Sequence, residues 1–200
     1  MGRKAIVRER KPLNDKARSW VRDVVPLLQD QALDKLTLDQ LAELMGKSKS
    51  TIYSYFSTKE EIYQTAVQLV LDSLVDTISP EAIEGENMEV VLEQMLMTIS
   101  KGIEGISIHF LEQIQKHFPD VWLIIEGFTD LLIANFKEIY SRGMRAGTFR
   151  PYNLELLLAL DKHFVMSIMT DASKFEEQGL TLNQLVKDYI ELRLFALRKT

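Results

Sequence analysis

The stretch Thr37 to Phe56, TLDQLAELMGKSKSTIYSYF, holds two short helical patterns on either side of a tight break at Met45-Gly46-Lys47. Leu38, Leu41, Ala42 and Met45 recur at three and four residues and make one apolar face, and Ile52 and Phe56 answer it from the second pattern. Ala42 is small where two helices have to approach closely, and Gly46 stands where a turn between short helices needs a residue tolerant of positive φ. This is helix-turn-helix spacing. The second helix leaves Lys49, Ser50, Thr51, Tyr53, Ser54 and Tyr55 outward. A short helix carrying mostly hydrogen-bond donors suits the major groove of DNA, which admits an α-helix and offers acceptor edges. An ordinary helical hairpin with a solvated face fits the spacing equally well.

Outward from this stretch the chain reads as all-α. No Asn-Gly or Asp-Gly hairpin turn and no sustained period-2 alternation occurs, while apolar residues recur at three and four. The pattern predicts helices over 12–31, 38–45, 49–55, 58–78, 88–116, 120–145, 153–172 and 182–198. Thr37-x-x-Gln40, Ser57-x-x-Glu60 and Thr181-x-x-Gln184 are capping boxes, in which a hydroxyl takes the N3 amide and a Glu or Gln side chain returns to the cap amide. Gly102 and Gly105 are positioned to split the 88–116 helix, Phe118-Pro119-Asp120 to restart it, and Gly143, Gly147 and Pro151 to end the following long helix. Ser79-Pro80 and residues 81–87 mark the strongest composition shift. They divide the chain into a unit at 1–57, a connecting helix at 58–79 and a larger unit at 80–200.

Of 200 residues, 46% are hydrophobic and 26% charged, the balance of a globular chain with a substantial core. The net charge of -5 argues at first sight against a nucleic-acid partner. Its distribution reverses that reading: residues 1–71 carry 12 Lys/Arg against 9 Asp/Glu, whereas residues 72–200 carry 12 against 20. Arg3, Lys4, Arg8, Arg10 and Lys11 begin the basic part, a plausible polyanion-facing arm and equally an ordinary solvated terminus. The arm has no apolar core of a signal peptide, and the longest apolar runs, such as Val121 to Ile125, are five residues. No membrane partner and a cytoplasmic location are expected. The absence of cysteine excludes disulfides, thiol nucleophiles and thiolate zinc sites, and no cofactor is expected.

Thr37, Ala42, Gly46, Ser48, Thr51, Tyr53, Tyr55-Phe56, Lys59 and Glu60 resemble the signature of the TetR/AcrR family of bacterial transcriptional regulators, over about residues 10–70. The resemblance implies an N-terminal three-helix DNA-binding domain, a C-terminal helical ligand-binding and dimerisation domain, and double-stranded DNA as partner. It makes Ser48 to Tyr55 the groove-facing segment. Carried over by position, Thr37, Tyr53 and Lys59 bind phosphate, Lys49, Ser50 and Thr51 read base edges, and Tyr55 contacts the backbone, with Lys47 and Ser48 beside them. Four positions depart from the family pattern. Lys47 stands where a small apolar residue is common, Ser50 where Gly is common, and Ala32 replaces a glycine just after the first helix. Pro26 falls inside that helix, where a missing amide predicts a kink.

Beyond residue 75 the resemblance continues in Gly143-x-x-x-Gly147-Thr-Phe-Arg-Pro151, which is similar to the turn preceding the two final helices in many members. Those helices imply a homodimer through 153–172 and 182–198. The residues agree independently: Leu182, Leu185, Val186, Tyr189 and Ile190 make a stripe that Leu192 and Phe195 widen beyond one core face. A monomer with both helices buried is the other reading. The family also implies an effector cavity between the helices of 88–172. Its candidate ligand-binding residues are His109, Phe110, Gln113, His117, Trp122, Phe128, Asn135, His163 and Met166, a mixture of aromatic, Met and isolated polar groups. His109 and His117 lie eight residues and roughly 12 Å apart along a helix, too far to share a metal, so no metal site is expected.

The leading expectation is a ligand-responsive DNA-binding regulator, a repressor released from a palindromic operator by a small molecule. The alternative is a small-molecule or protein-binding module whose helix-turn-helix no longer touches DNA. An enzyme is not expected: the chain has no Gly-rich phosphate loop, no Gly-x-Ser-x-Gly elbow and no His-Glu-x-x-His.

Overall fold

The computed structural model describes residues 10–75 and 87–199. Within them the chain forms ten α-helices and no strand: α1 (Asp15–Leu28), α2 (Leu38–Leu44), α3 (Lys49–Tyr53), α4 (Lys59–Val75), α5 (Met88–Gly102), α6 (Ile108–His117), α7 (Pro119–Ala146), α8 (Leu154–Thr170), α9 (Ala172–Glu177) and α10 (Leu182–Leu197). The composition shift at Ser79-Pro80 and 81–86, the last residues of the expected connecting helix, and Arg3, Lys4 and Arg8 of the basic arm lie outside the described residues.

Local chemistry sets most of the ends. Thr37 closes the expected capping box on α2: its Oγ1 accepts from the Gln40 amide at 3.2 Å, and Gln40 Oε1 accepts from the Thr37 amide at 2.8 Å. The box expected at Ser57 and Glu60 is displaced by one residue. Thr58 Oγ1 accepts from the Glu61 amide, and Glu61 Oε2 accepts from the Ser57 amide at 2.7 Å. At α10 only half the box forms. Thr181 accepts from the Gln184 amide, but the Gln184 side chain turns to Asp188.

The 88–116 stretch splits in two where Gly102 and Gly105 were expected to break it. α5 ends at Gly102, Gly105 takes φ +87°, and Ser107 caps α6 by accepting from the Phe110 amide. Pro119 starts α7, where its missing amide costs nothing. Gly147, at φ +75°, ends it. Gly143 does not. It lies inside α7, and a Cβ there would stand 2.1 Å from the ring of the buried Phe149. Ala32 needs no glycine, because among the described residues no non-glycine takes positive φ.

The helix-turn-helix is not a separate ball. Its buried residues, from Val21 of α1 to Phe56, join one cluster with Ile62, Tyr63 and Val67 of α4 and with Phe110, Ile114, Phe118 and Trp122 of α6 and α7. A second cluster joins α5, α7, α8 and α10. α4 is therefore shared between the helix-turn-helix and the larger helical body, packing on both α1 and α7.

Candidate nucleic-acid interface and effector cavity

α3 is held from beneath and open above. Ile52 and Phe56 are buried against Leu41 and Ala42, and Gly46 makes the turn at φ +64°. Ser48 caps α3 by accepting from the Thr51 amide at 3.2 Å, and its hydroxyl also meets those of Ser50 and Thr51 at 3.0 and 2.8 Å. Lys49, Ser50 and Tyr53 are left exposed, with Thr51 half-buried beside them. Thr37 is exposed at the start of α2.

The cations around α3 are not all free. Lys49 Nζ donates to Asp39 Oδ2 of α2 at 2.6 Å. This contact lowers the Asp39 carboxyl below its ordinary range and raises the Lys49 ammonium. Lys47 lies over the Trp20 ring, 5.0 Å from its centroid. Tyr55 is half-buried edge-on to Trp20, and its hydroxyl accepts from Asn14 Nδ2 at 3.3 Å. From the arm, Arg10 pairs with Glu61 at 2.9 Å and the Lys11 amide donates to Ser54 O.

Lys59, expected at phosphate, has its ammonium on backbone carbonyls. Its ammonium donates to the carbonyls of Leu33 and Asp34, at 3.1 and 2.6 Å, and sits 5.5 Å from the Phe118 centroid. At the first position of α4 its side chain turns inward, where it ties the loop after α1 to α4. Tyr63 reinforces the same loop: its hydroxyl donates to Leu33 O at 3.1 Å, its ring packs on Phe118, and burial pushes its phenol up.

Between the helices lies an apolar cavity of about 140 Å³. Only Phe110 and Phe128 of the nine candidate ligand residues line it. His109 and His163 are exposed, since each falls on the outer face of its helix. His117 borders Phe118, Trp122 turns its indole N–H to Glu126 Oε1 at 3.0 Å, and Met166 packs against the cluster that holds the helix-turn-helix. Gln113 Oε1 and Asn135 Nδ2 are buried without a partner, away from the cavity lining. The wall is instead mostly aliphatic and phenylalanine, with Thr129, Met169 and Tyr189, and is drawn from α1, from α4 through α8 and from α10. Those residues carry no sequence signal that separates a cavity wall from an ordinary core.

Two polar groupings also escaped the sequence. The Ser107 amide donates to Gln29 Oε1 and the Ser107 hydroxyl to Gln29 O, both at 2.7 Å, clasping the end of α1 to the start of α6. Fully buried Asp161 of α8 accepts from Tyr140 at 2.8 Å and from Tyr189 and Arg193 of α10. Burial foremost, with the Asp161 charge, pushes the phenols of Tyr140 and Tyr189 up. Both groupings join residues far apart in the chain, so only the fold brings them together.

A buried two-helix footing beneath an open, donor-rich α3 has the geometry of a helix-turn-helix motif, here with a helical body behind it. Residues 25–66 match the family of bacterial regulatory proteins of the tetR type. The helix-turn-helix transcriptional regulator YvaF of Bacillus subtilis is 29% identical over 94 residues, 46% of this chain and 49% of YvaF, so the chain spans about half of that relative's length. The solved structure of the TetR-family regulator PfmR from Thermus thermophilus has the same fold, with a TM-score of 0.67 at 20% identity, over 94% of this chain and all of that one. AibR, solved with isovaleryl coenzyme A and operator DNA, superposes with a TM-score of 0.62 at 16% identity, over 90% of this chain and 98% of its own. The likeness to the tetR family thus lies in residues 25–66, and the solved structures share the fold of the whole described chain.

Proposed function

We propose that the protein is a ligand-responsive repressor, a homodimer that holds a palindromic operator through α3 and releases it when a small molecule occupies the cavity. The observation that carries this reading is the open face of α3 on its buried footing, with Lys49, Ser50 and Tyr53 exposed above Ile52 and Phe56. Lys49, Ser50 and Thr51 are the base readers, Thr37 and Tyr53 the phosphate contacts, and Lys47, Ser48 and Tyr55 frame them. Lys59, also expected at phosphate, holds the loop after α1.

A dimer supplies the second recognition helix. Leu156 and Leu160 of α8 are 58% and 50% exposed, and Leu192 and Phe195 of α10 are 68% and 78% exposed, an apolar surface that a second copy would cover. Two such helices about 34–36 Å apart read half-sites one turn of DNA apart. The cavity reaches the DNA-binding unit directly, because Val25 of α1 and Val67 of α4 line it. An effector therefore shifts the balance between two arrangements of α1 and α4 by its differential affinity for them. AibR, captured with both isovaleryl coenzyme A and operator DNA, supports such a pairing of sites on this fold. The protein acts in the cytoplasm, where its operator lies. Among the described residues no helix is long and apolar enough to cross a membrane.

Fluorescence anisotropy with DNA from upstream of its own gene, at two salt concentrations, tests the reading. Wild type binds and weakens steeply with salt, because the release of condensed counterions favours the complex less as salt rises. A Lys49→Ala/Tyr53→Phe double variant that binds as well as wild type at both concentrations would overturn the assignment of α3. Equally weak binding by both would favour the alternative, a binding module whose motif has left DNA.

A further inference from the structure

We infer that the cavity takes a compact, uncharged hydrocarbon group, an aromatic ring or a short branched alkyl about the size of benzene, and discriminates against charged groups of the same shape. The inference rests on the reading of this cavity as the effector site. None of its described lining residues is Asp, Glu, Lys, Arg or His, so no counter-ion faces a charged ligand. The two lining residues that carry hydroxyls have already committed their hydrogens: Thr129 Oγ1 donates to Ile125 O at 3.0 Å, and Tyr189 donates to Asp161. A ligand carboxylate or carbonyl entering here finds no donor. Asp161 lies behind Tyr189 with its oxygens taken by two phenols and Arg193, and gives an ammonium no counter-charge.

Size narrows the class further. An apolar cavity of roughly 150 Å³ lined by Leu, Ile and Phe stays dry and admits benzene. The present cavity, about 140 Å³, is of that size and similarly walled. Its lining atoms lack dispersion partners across the gap, and a hydrocarbon group restores them without displacing hydrogen-bonded water. The Phe164 and Tyr189 rings, stacked with centroids 4.2 Å apart and planes at 10°, give one wall a flat aromatic end. Val25 and Ala66 also line the cavity, so the same occupancy touches the helices that position α3.

Toluene, benzoate and benzylammonium share a ring and differ in charge. Titrated into the full wild-type chain by calorimetry and thermal shift, toluene should bind and raise the melting temperature, while benzoate and benzylammonium bind at least about 100-fold more weakly for want of a partner for their charge. An Ala66→Leu variant, which fills the cavity from α4, should lose the toluene response, as should Val165→Leu from the α8 wall if the first variant does not fold. Either charged probe binding as tightly as toluene would overturn the inference, as would failure of toluene to bind. Anisotropy without any probe reports separately on DNA binding, so its failure sinks the regulatory reading and leaves the chemistry of the cavity to be judged by the probes.

Discussion

Replacing Asp161 by Asn tests how the last helix is anchored. The Asp161 side chain is wholly buried and that of Arg193 is 11% exposed, so their ion pair is removed from solvent on both sides. Tyr140 and Tyr189 complete the acceptor's surroundings. Asn keeps the shape, loses the charge, and turns an NH₂ group toward donors. What remains is a buried guanidinium without its counter-ion, and removal of one partner of such a pair costs about 3–5 kcal/mol. At ~2–4 °C per kcal/mol for a chain of this size, the melting temperature should fall by about 10 °C. Arg193 Nε already lacks a hydrogen-bond partner, so no spare contact softens the loss. Truncating both partners, Asp161→Asn with Arg193→Leu, should recover most of it, because a buried pair exchanged for apolar packing is often neutral. Urea melts of the single and double variants at fixed protein concentration measure both. A single variant within about 1 kcal/mol of wild type would refute the assignment of this cluster as the anchor of α10.

Two further outcomes follow from charge. Tyr63, Tyr140 and Tyr189 all have phenols raised by burial, so the folded chain keeps protons that the unfolded chain releases above pH ~10, and stability present below that pH is lost as pH rises. Urea midpoints measured upward from pH 9.5 should steepen toward about 4 kcal/mol lost per pH unit, and Tyr63→Phe should remove about a third of that slope; an unchanged slope in Y63F would contradict it. Asp39→Asn frees Lys49 and removes a negative charge from the α3 surface. Its DNA affinity should rise at low salt, because a carboxylate no longer faces the phosphates, and an affinity below wild type would show that Asp39 serves the complex by positioning Lys49.

The helix-turn-helix was legible because its determinants are local. Thr37 and Gln40 are three residues apart, Gly46 answers its own turn, and Ile52 and Phe56 lie on one face of one short helix. The surplus apolar face of α10 was legible for the same reason, through Leu192 and Phe195. The cavity was not. Chemical variety drew attention to His109 and His163, which face outward, whereas Val67, Leu71 and Val186 form the wall with side chains that any helical core contains. Which aliphatic residues border a void depends on how several helices meet. Lys59 shows the same limit on a smaller scale: its place at the start of α4 was readable, but the carbonyls of Leu33 and Asp34 that claim its ammonium arrive from another loop.

The central claim is that two copies of α3 read DNA together. Selection of bound duplexes from a random-sequence library, followed by sequencing, measures it most directly. The account predicts an enriched inverted repeat with half-site centres one helical turn of DNA apart, about 34–36 Å, or a multiple of it, and loss of that enrichment in the Lys49→Ala/Tyr53→Phe variant. Recovery of no enriched sequence by the wild-type protein, or of a single unrepeated site, would contradict it.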